Sequence, residues 1–174
     1  MEYLRYWINA NGVHTAPSKL QATHQAPSPT NVTELRAFLS LLNYYGKFIP
    51  NLSTMIHPLN ALLRQGVRWK WTQECAEAFR EAKQSLSSDS VLAHYDPQLP
   101  VRLAGDASCY GIGAVLSHQY PDGTEQPIAY ASRTFLPSER NYVQIEREAL
   151  SLVFGIQKFH QYIYGRKFTL ITDH

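Results

Sequence analysis

The chain has 174 residues, of which 44% are hydrophobic and 12% aromatic, enough for the core of one domain or two small ones and too apolar for a disordered chain. Its 16 Lys and Arg nearly balance its 14 Asp and Glu, so the net charge carries no nucleic-acid signature. Cys75 and Cys109, without CxxC spacing, exclude a disulfide scaffold and argue against structural zinc. Without a membrane-length apolar run or a signal peptide, we expect no membrane association and an intracellular, cytoplasmic or nuclear protein that is not secreted.

The first third of the chain combines strand-like sequence with short helices. Two strands joined by a turn at residues 9–12 are followed by a Pro- and Ser-rich connection over 16–31, with a short helix around 19–24. Asn31, followed three residues later by Glu34, has the spacing of a helix capping box. The predicted helix carries one apolar stripe, formed by Leu35, Phe38, Leu39 and Leu42.

Two further helices are predicted before strand patterns begin at about residue 100. One spans residues 53–63 and ends before Gly66, a typical helix-terminating residue. The other begins after Thr72, which has the side chain of an N-cap. A turn-rich segment over residues 87–100 then separates this helical part from the rest of the chain.

From residue 100 onward the sequence is dominated by strand patterns. Strands are predicted over 101–107, 111–119 and 125–133, followed by a long helix over 138–164 and a fourth strand over 167–173. This order predicts an α+β, mixed α/β fold, in which the fourth strand lies parallel to a neighbour. The apolar positions predicted to form the buried stripe of the long helix are Tyr142, Ile145, Ala149, Leu152, Ile156, Phe159 and Ile163.

Acidic residues at strand ends and on the long helix are candidate metal ligands. Asp106 ends the first strand of this part and Asp173 ends the fourth, while Glu146 and Glu148 lie on opposite flanks of the helix stripe. Converging carboxylates repel one another unless a hard divalent cation such as Mg²⁺ or Mn²⁺ joins them. Helical geometry alone leaves both glutamates open as the third ligand.

Each of these acids also has an ordinary structural explanation. Asp106 precedes Ala-Ser and could serve as a turn residue. The two glutamates could form a solvated helix flank, and Asp173 could be an incidental acid near the chain end. Spacing alone therefore favours the structural explanation over a three-carboxylate site.

Long motifs in a fixed order give the sequence a family resemblance. They are ELRAFLSLLNYYGKFIPNLS with HPLNALLR, then WKWTQECAEAF through DASCYGIGAVLSH, and finally PIAYASRTF through EREAL to TDH. Over essentially the whole chain they resemble the polymerase-to-RNase H region of gypsy-type LTR retrotransposon and retrovirus-like Pol polyproteins. The resemblance implies the end of a reverse transcriptase palm with a thumb-like helical module over residues 1–66, a connecting helix and linker over 67–99, and a C-terminally truncated RNase H-like domain over 100–174.

The same resemblance implies a site and its partners. Asp106, Glu148 and Asp173 match the family's catalytic, metal-binding carboxylates, and this match is what selects between the two glutamates. It implies Mg²⁺ or Mn²⁺ in the intact parent and hydrolysis of the RNA strand of RNA–DNA hybrids. The implied partners are such a hybrid or a primer–template duplex and the remainder of the Pol polyprotein, with Arg36 and Lys47 as candidate phosphate contacts.

Departures from the family pattern leave other functions open. Arg5 stands where the family has a glycine near the primer, which puts close backbone approach to nucleic acid in question. The polymerase Y-x-D-D motif is absent from the chain and the RNase H part stops at His174, so we expect no polymerase activity and little or no nuclease activity from the chain alone. A non-catalytic retroelement remnant that binds nucleic acid or a partner is the main alternative. An integrase-like enzyme is disfavoured by the thumb-like module.

Overall fold

Two sheets and two hydrophobic cores organise the part of the chain that the computed structural model describes, residues 2–3, 6–87 and 90–172. The elements of the first part are β1 (Glu2–Tyr3), β2 (Tyr6–Asn9), β3 (Gly12–Thr15), α1 (Pro17–Gln25), α2 (Val32–Tyr44), α3 (Leu52–Met55), α4 (His57–Ala61) and α5 (Gln73–Ser87). Those of the second part are β4 (Val101–Ala107), β5 (Gly111–Gln119), β6 (Glu125–Thr134), α6 (Gln144–Lys158), α7 (His160–Ile163) and β7 (Thr169–Ile171). The division into three domains stays a prediction.

The first core is built around α2 and α5. The predicted apolar stripe of α2 is fully buried, and the side chain of Asn31 accepts the backbone N–H of Glu34 at 3.0 Å. In a capping box the carboxylate of Glu34 would accept the backbone N–H of Asn31. Here it accepts the backbone N–H and the hydroxyl of Thr30 at 2.8 and 3.0 Å. Asn31 is therefore confirmed as the N-cap of α2, and the partner of the Glu34 carboxylate is Thr30.

The prediction of one continuous helix over residues 53–63 is wrong. The chain forms α3 and α4 instead, separated at Ile56. Pro58 is the second residue of α4, where its missing N–H costs nothing. In the middle of a longer helix the same proline would remove a hydrogen bond and clash with the preceding turn.

The second sheet has the strand order β6-β5-β4-β7. β5 pairs antiparallel with both β4 and β6, whereas β7 pairs parallel with β4, with Ala104 opposite Ile171. The predicted strands and the parallel placement of the fourth are confirmed, so the fold is mixed α/β. The observed fourth strand ends at Ile171, and Asp173 lies outside the described residues.

The long helix differs from its prediction at both ends and in the face it buries. It begins at Gln144 instead of residue 138, and it is interrupted at Phe159 before α7. Its buried residues are Ser151 and Gly155, whereas Ile145, a predicted stripe position, is 66% exposed.

Small residues bring α6 close to the sheet. A Cβ on Gly155 would lie 2.9 Å from the Cβ of Ala114 and 2.9 Å from a methyl group of Leu103, and a Cβ on Gly105 would overlap the hydroxyl of Ser151. The helix therefore packs against β4 and β5 at a distance that only glycine permits.

In the described part of the chain, no helix is long and apolar enough to cross a lipid bilayer. Cys75 is buried, Cys109 is exposed, and neither forms a disulfide.

Candidate functional site

Asp106 lies near the C-terminal end of β4, directly opposite Gly113 of β5. Its side chain is exposed, and its Oδ2 accepts the side-chain amide of Asn51 at 2.8 Å. Asn51 precedes α3 and has a left-handed backbone (φ 48°), a conformation that Asn tolerates better than most residues. The predicted site residue is thus held by a residue that sequence reasoning did not select.

The start of α3 docks on the sheet around Asp106 through further polar contacts. The backbone N–H of Ser53 donates to the Ser132 hydroxyl at 2.9 Å. The hydroxyls of Thr54 and Ser108 lie 2.8 Å apart. These contacts fix the helical module on the sheet beside the β4–β5 turn. The signal that could have identified Asn51 is its place after Pro50 in a break between helices, where a left-handed residue is common.

The two candidate glutamates have different roles on α6. The Glu146 carboxylate accepts the backbone N–H of Val143 at 2.9 Å and so caps the helix N-terminus. Glu148 is half-buried, and its Oε1 accepts the side-chain amide of Gln144 at 2.9 Å. Ser151, on the buried face, donates its hydroxyl to the carbonyl of Glu148 at 2.6 Å.

The packing of α6 links Glu148 to the strand that carries Asp106. The Ser151 hydroxyl occupies the space that a side chain on Gly105 would need, and the same hydroxyl bonds the Glu148 carbonyl. Ser151, one turn after Glu148, therefore lies against Gly105, the residue before Asp106. Within residues 2–3, 6–87 and 90–172 no group of three acidic, His or Cys side chains is arranged to hold a metal ion; Asp173, the third predicted ligand, is outside those ranges.

The predicted phosphate contacts lie on the helical module. Arg36 is exposed on α2. Lys47 is half-buried, with its ammonium 3.8 Å from the ring centroid of Tyr6, and burial lowers its pKa from the ordinary value. Arg36 is thus open to solvent, whereas Lys47 is engaged with an aromatic face.

The fold and the arrangement of residues define an RNase H-like unit attached to a helical module. Residues 71–170 match the family described as the RNase H-like domain found in reverse transcriptase. Two Schizosaccharomyces pombe relatives, the Transposon Tf2-3 and Tf2-4 polyproteins, are each 35% identical over 176 aligned positions, covering 100% of this chain and 13% of the relative. The chain belongs to the family of RNase H-like domains found in reverse transcriptase, and it spans about an eighth of the length of these curated relatives.

Solved structures show the same fold over nearly the whole chain. The foamy viral protease-reverse transcriptase in complex with dsDNA is 25% identical, with a TM-score of 0.80 over 98% of this chain and 36% of that one. The same viral protein in complex with RNA/DNA hybrid gives 25% identity and a TM-score of 0.80, covering 98% of this chain and 23% of that one. The helical module and the sheet domain thus have a known counterpart as a pair.

Proposed function

We propose that this chain is the metal-dependent nuclease part of a retrotransposon reverse transcriptase and acts on the RNA strand of RNA–DNA hybrids. The observation that supports the proposal is the packing of α6 on β4, in which Ser151, one turn after Glu148, lies against Gly105, the residue before Asp106. Family membership of residues 71–170 and the solved neighbours in complex with dsDNA and with RNA/DNA hybrid support the substrate class.

The donor chemistry fits a hard divalent cation. Asp106 is exposed and has no Lys or Arg ion pair among the described residues, and carboxylate oxygens are the ligands that Mg²⁺ and Mn²⁺ prefer. We propose that Asp106, Glu148 and Asp173 hold the ions. When bound, a pair of such ions activates water and stabilises the leaving oxygen of a phosphodiester.

Neighbouring amides orient the two described carboxylates. Asn51 donates to Oδ2 of Asp106, and Gln144 donates to Oε1 of Glu148. A carboxylate has about four lone-pair positions, so one amide contact does not prevent it from binding a cation. Fixing the carboxylates before the cation binds lowers the entropic cost of assembling the site.

A second candidate function is supported by the docking of α3. Asn51, Ser53 and Thr54 contact the sheet around Asp106, so this carboxylate also stabilises the attachment of the helical module. A chain that had lost catalysis would keep Asp106 for that reason and could still bind nucleic acid.

Single-turnover cleavage of an RNA–DNA hybrid tests the proposal, because excess enzyme reveals slow hydrolysis. Because the chain alone is expected to have little nuclease activity, we expect only slow Mg²⁺-dependent cleavage, confined to the labelled RNA strand. This cleavage should be lost in Asp106→Asn and Glu148→Gln and retained in Glu146→Gln, the matched control on the same helix. Cleavage that persists in Asp106→Asn would contradict the proposal. A folded wild-type chain that binds the hybrid, does not cut it and does not bind Mn²⁺ would favour the second candidate.

A further inference from the structure

The helical module has an apolar cavity of about 460 Å³ between α1, α2 and α5. Phe38, Leu41 and Phe79 supply its large apolar side chains, and the ring centroids of Phe38 and Phe79 lie 4.5 Å apart. The volume is typical of a ligand-binding cleft. Three alanines, of which the first and last are exposed, leave the cavity open to solvent: Ala22, Ala26 and Ala37.

Two prolines form part of the wall of this apolar cavity. Pro27 and Pro29 follow the end of α1 at Gln25. Proline has a fixed φ angle and no backbone N–H, so this wall exposes few polar backbone groups and changes shape little. The backbone N–H of Ala26 donates to the carbonyl of Thr23 at 3.2 Å and ends the helix. The cavity is therefore formed before a ligand arrives, which lowers the ordering cost of binding.

A second, basic cavity of about 540 Å³ adjoins the first at Phe79, which lines both. His24, Arg80 and Lys83 line the basic cavity, which has no carboxylate among its described lining residues. Arg80 is exposed and forms no ion pair in the part of the chain that the structure describes. The Lys83 ammonium donates to the carbonyl of Ala26 at 2.8 Å. A positive charge is thus fixed where the two cavities meet.

The basic cavity lies on a different face of α5 from the glutamates of that helix. Glu74, Glu77 and Glu81 line a separate groove. At 100° per residue, their mean direction is roughly 120° from that of Arg80 and Lys83. An acidic ligand is therefore attracted to one side of α5 and repelled from the other.

A carboxylate in the lining of the apolar cavity determines how a charged ligand can lie. Glu34 accepts the backbone N–H and the hydroxyl of Thr30, and these hydrogen bonds lower its pKa below the ordinary value. Glu34 therefore stays negative at neutral pH and repels other carboxylates from this cavity. An acidic ligand would place its charge beside Arg80 and its apolar part against Phe38 and Phe79.

We propose that the two cavities bind an acidic amphipathic helix of another protein, with bulky apolar side chains in the first cavity and carboxylates in the second. Grooves between helices bind such partners through apolar residues spaced one turn apart, and carboxylates pair well with a guanidinium. A nucleic-acid strand fits less well, because its phosphates need cations along their length and the apolar cavity presents Glu34 instead. All described lining residues of both cavities lie between positions 22 and 84, so binding does not depend on the proposed nuclease site.

Fluorescence anisotropy with a labelled peptide tests the docking surface on the full 174-residue chain. The probe is a helical peptide with Trp and Leu one turn apart, followed by a block of glutamates. Two matched peptides replace the Trp and Leu by alanine, or the glutamates by lysine. We expect saturable binding of the probe and about tenfold weaker binding of either matched peptide, because each lacks one of the two contacts.

Two substitutions locate the peptide in the cavities. Ala37→Trp fills the apolar cavity and should weaken probe binding about tenfold, whereas Ser40→Trp, at an exposed position of the same helix outside the cavity, should not. Arg80→Glu should weaken probe binding about tenfold at low salt and strengthen binding of the lysine peptide, a reversal that a merely structural role would not produce. Arg68→Glu, which changes an exposed arginine outside both cavities, is its control.

Any of four results would overturn the proposal: no saturable binding of the probe, equal binding of the alanine peptide, unchanged affinity in Ala37→Trp and Arg80→Glu, or an equal loss in their controls. Tighter binding of a single-stranded oligonucleotide than of the probe, lost in Arg80→Glu, would identify a nucleic-acid contact and overturn the protein assignment. Circular dichroism excludes misfolding, and Ala22→Trp on α1 replaces Ala37→Trp if that variant fails to fold. Peptide binding requires no cleavage, so this proposal and the nuclease proposal fail separately.

Discussion

Asn51 donates its side-chain amide to Oδ2 of Asp106 at 2.8 Å across a separation of 55 residues. The bond joins the residue that precedes α3 to the end of β4, so the helical module and the sheet domain meet at the proposed metal ligand. A hydrogen bond of this kind orients a ligating carboxylate. The module therefore contributes to the proposed site even though its own side chains are not proposed as ligands.

Replacing Asn51 by glycine tests that contribution. Glycine keeps the left-handed backbone of this position (φ 48°) and removes only the amide. We expect Mn²⁺ to bind about tenfold more weakly, because loss of an orienting partner typically costs 10- to 100-fold in metal affinity. Mn²⁺ titration followed by electron paramagnetic resonance measures the change.

Asn11→Gly serves as its control, since it removes an amide from the exposed turn between β2 and β3 and should leave Mn²⁺ affinity unchanged. Tighter binding in Asn51→Gly would mean that the amide competes with the cation instead of orienting its ligand.

Valine at position 155 should separate α6 from the sheet. A Cβ at this position would already lie 2.9 Å from the Cβ of Ala114 and from a methyl group of Leu103. Overpacking of this kind typically costs about 1 to 3 kcal/mol of unfolding free energy. Gln157→Val on the exposed face of α6 controls for the helix propensity of valine. Urea unfolding measures both variants; equal stability of Gly155→Val and wild type would refute the close packing.

Acid should destabilise the loop between β6 and α6, because it protonates Glu139. The hydrogen bonds and charge of Arg133 hold the pKa of Glu139 below its ordinary value of 4.5. A carboxyl group with a lower pKa in the folded state stabilises the fold above its unfolded-state pKa, and this stabilisation is lost as the pH falls through the folded-state pKa.

Glu139→Gln should therefore be less stable than wild type by about 1 to 2 kcal/mol at neutral pH, with a smaller difference at about pH 3.5. Urea unfolding at both pH values measures this. Glu81→Gln, which removes an exposed carboxylate of α5, should follow the wild type. A difference that does not narrow in acid would show that ionisation of Glu139 is not the cause.

The strands of the second sheet were predictable because their signals are local. The strand patterns over residues 101–107 and 111–119, and the turn at Gly123 (φ 86°) between β5 and β6, indicate the antiparallel pairs. The start of α6 was not predictable from the spacing of apolar residues. Tyr142 and Ile145 continue the helical spacing, yet Tyr142 lies in a loop and Ile145 in an exposed first turn. Periodicity alone does not show where a helix begins.

The residues of the proposed site stay a prediction, and the sequence did not show how they are positioned. Spacing left Glu146 and Glu148 equivalent, and the family resemblance selected Glu148. The structure separates them through contacts that the helix stripe did not reveal, the N-cap bond of Glu146 and the buried Ser151 one turn after Glu148. The contact of Asn51 with β4 depends on how distant segments pack, which no local pattern encodes.

Mn²⁺ binding to the 174-residue chain tests the central claim most directly, that Asp106 and Glu148 belong to one cation site. Electron paramagnetic resonance titrations of wild type, Asp106→Asn, Glu148→Gln and Glu146→Gln measure it without requiring catalysis. The account predicts that the first two substitutions each weaken Mn²⁺ binding at least tenfold and that Glu146→Gln, whose amide oxygen can still cap the helix, binds like wild type. Wild-type affinity in Asp106→Asn and Glu148→Gln, or an equal loss in Glu146→Gln, would contradict it.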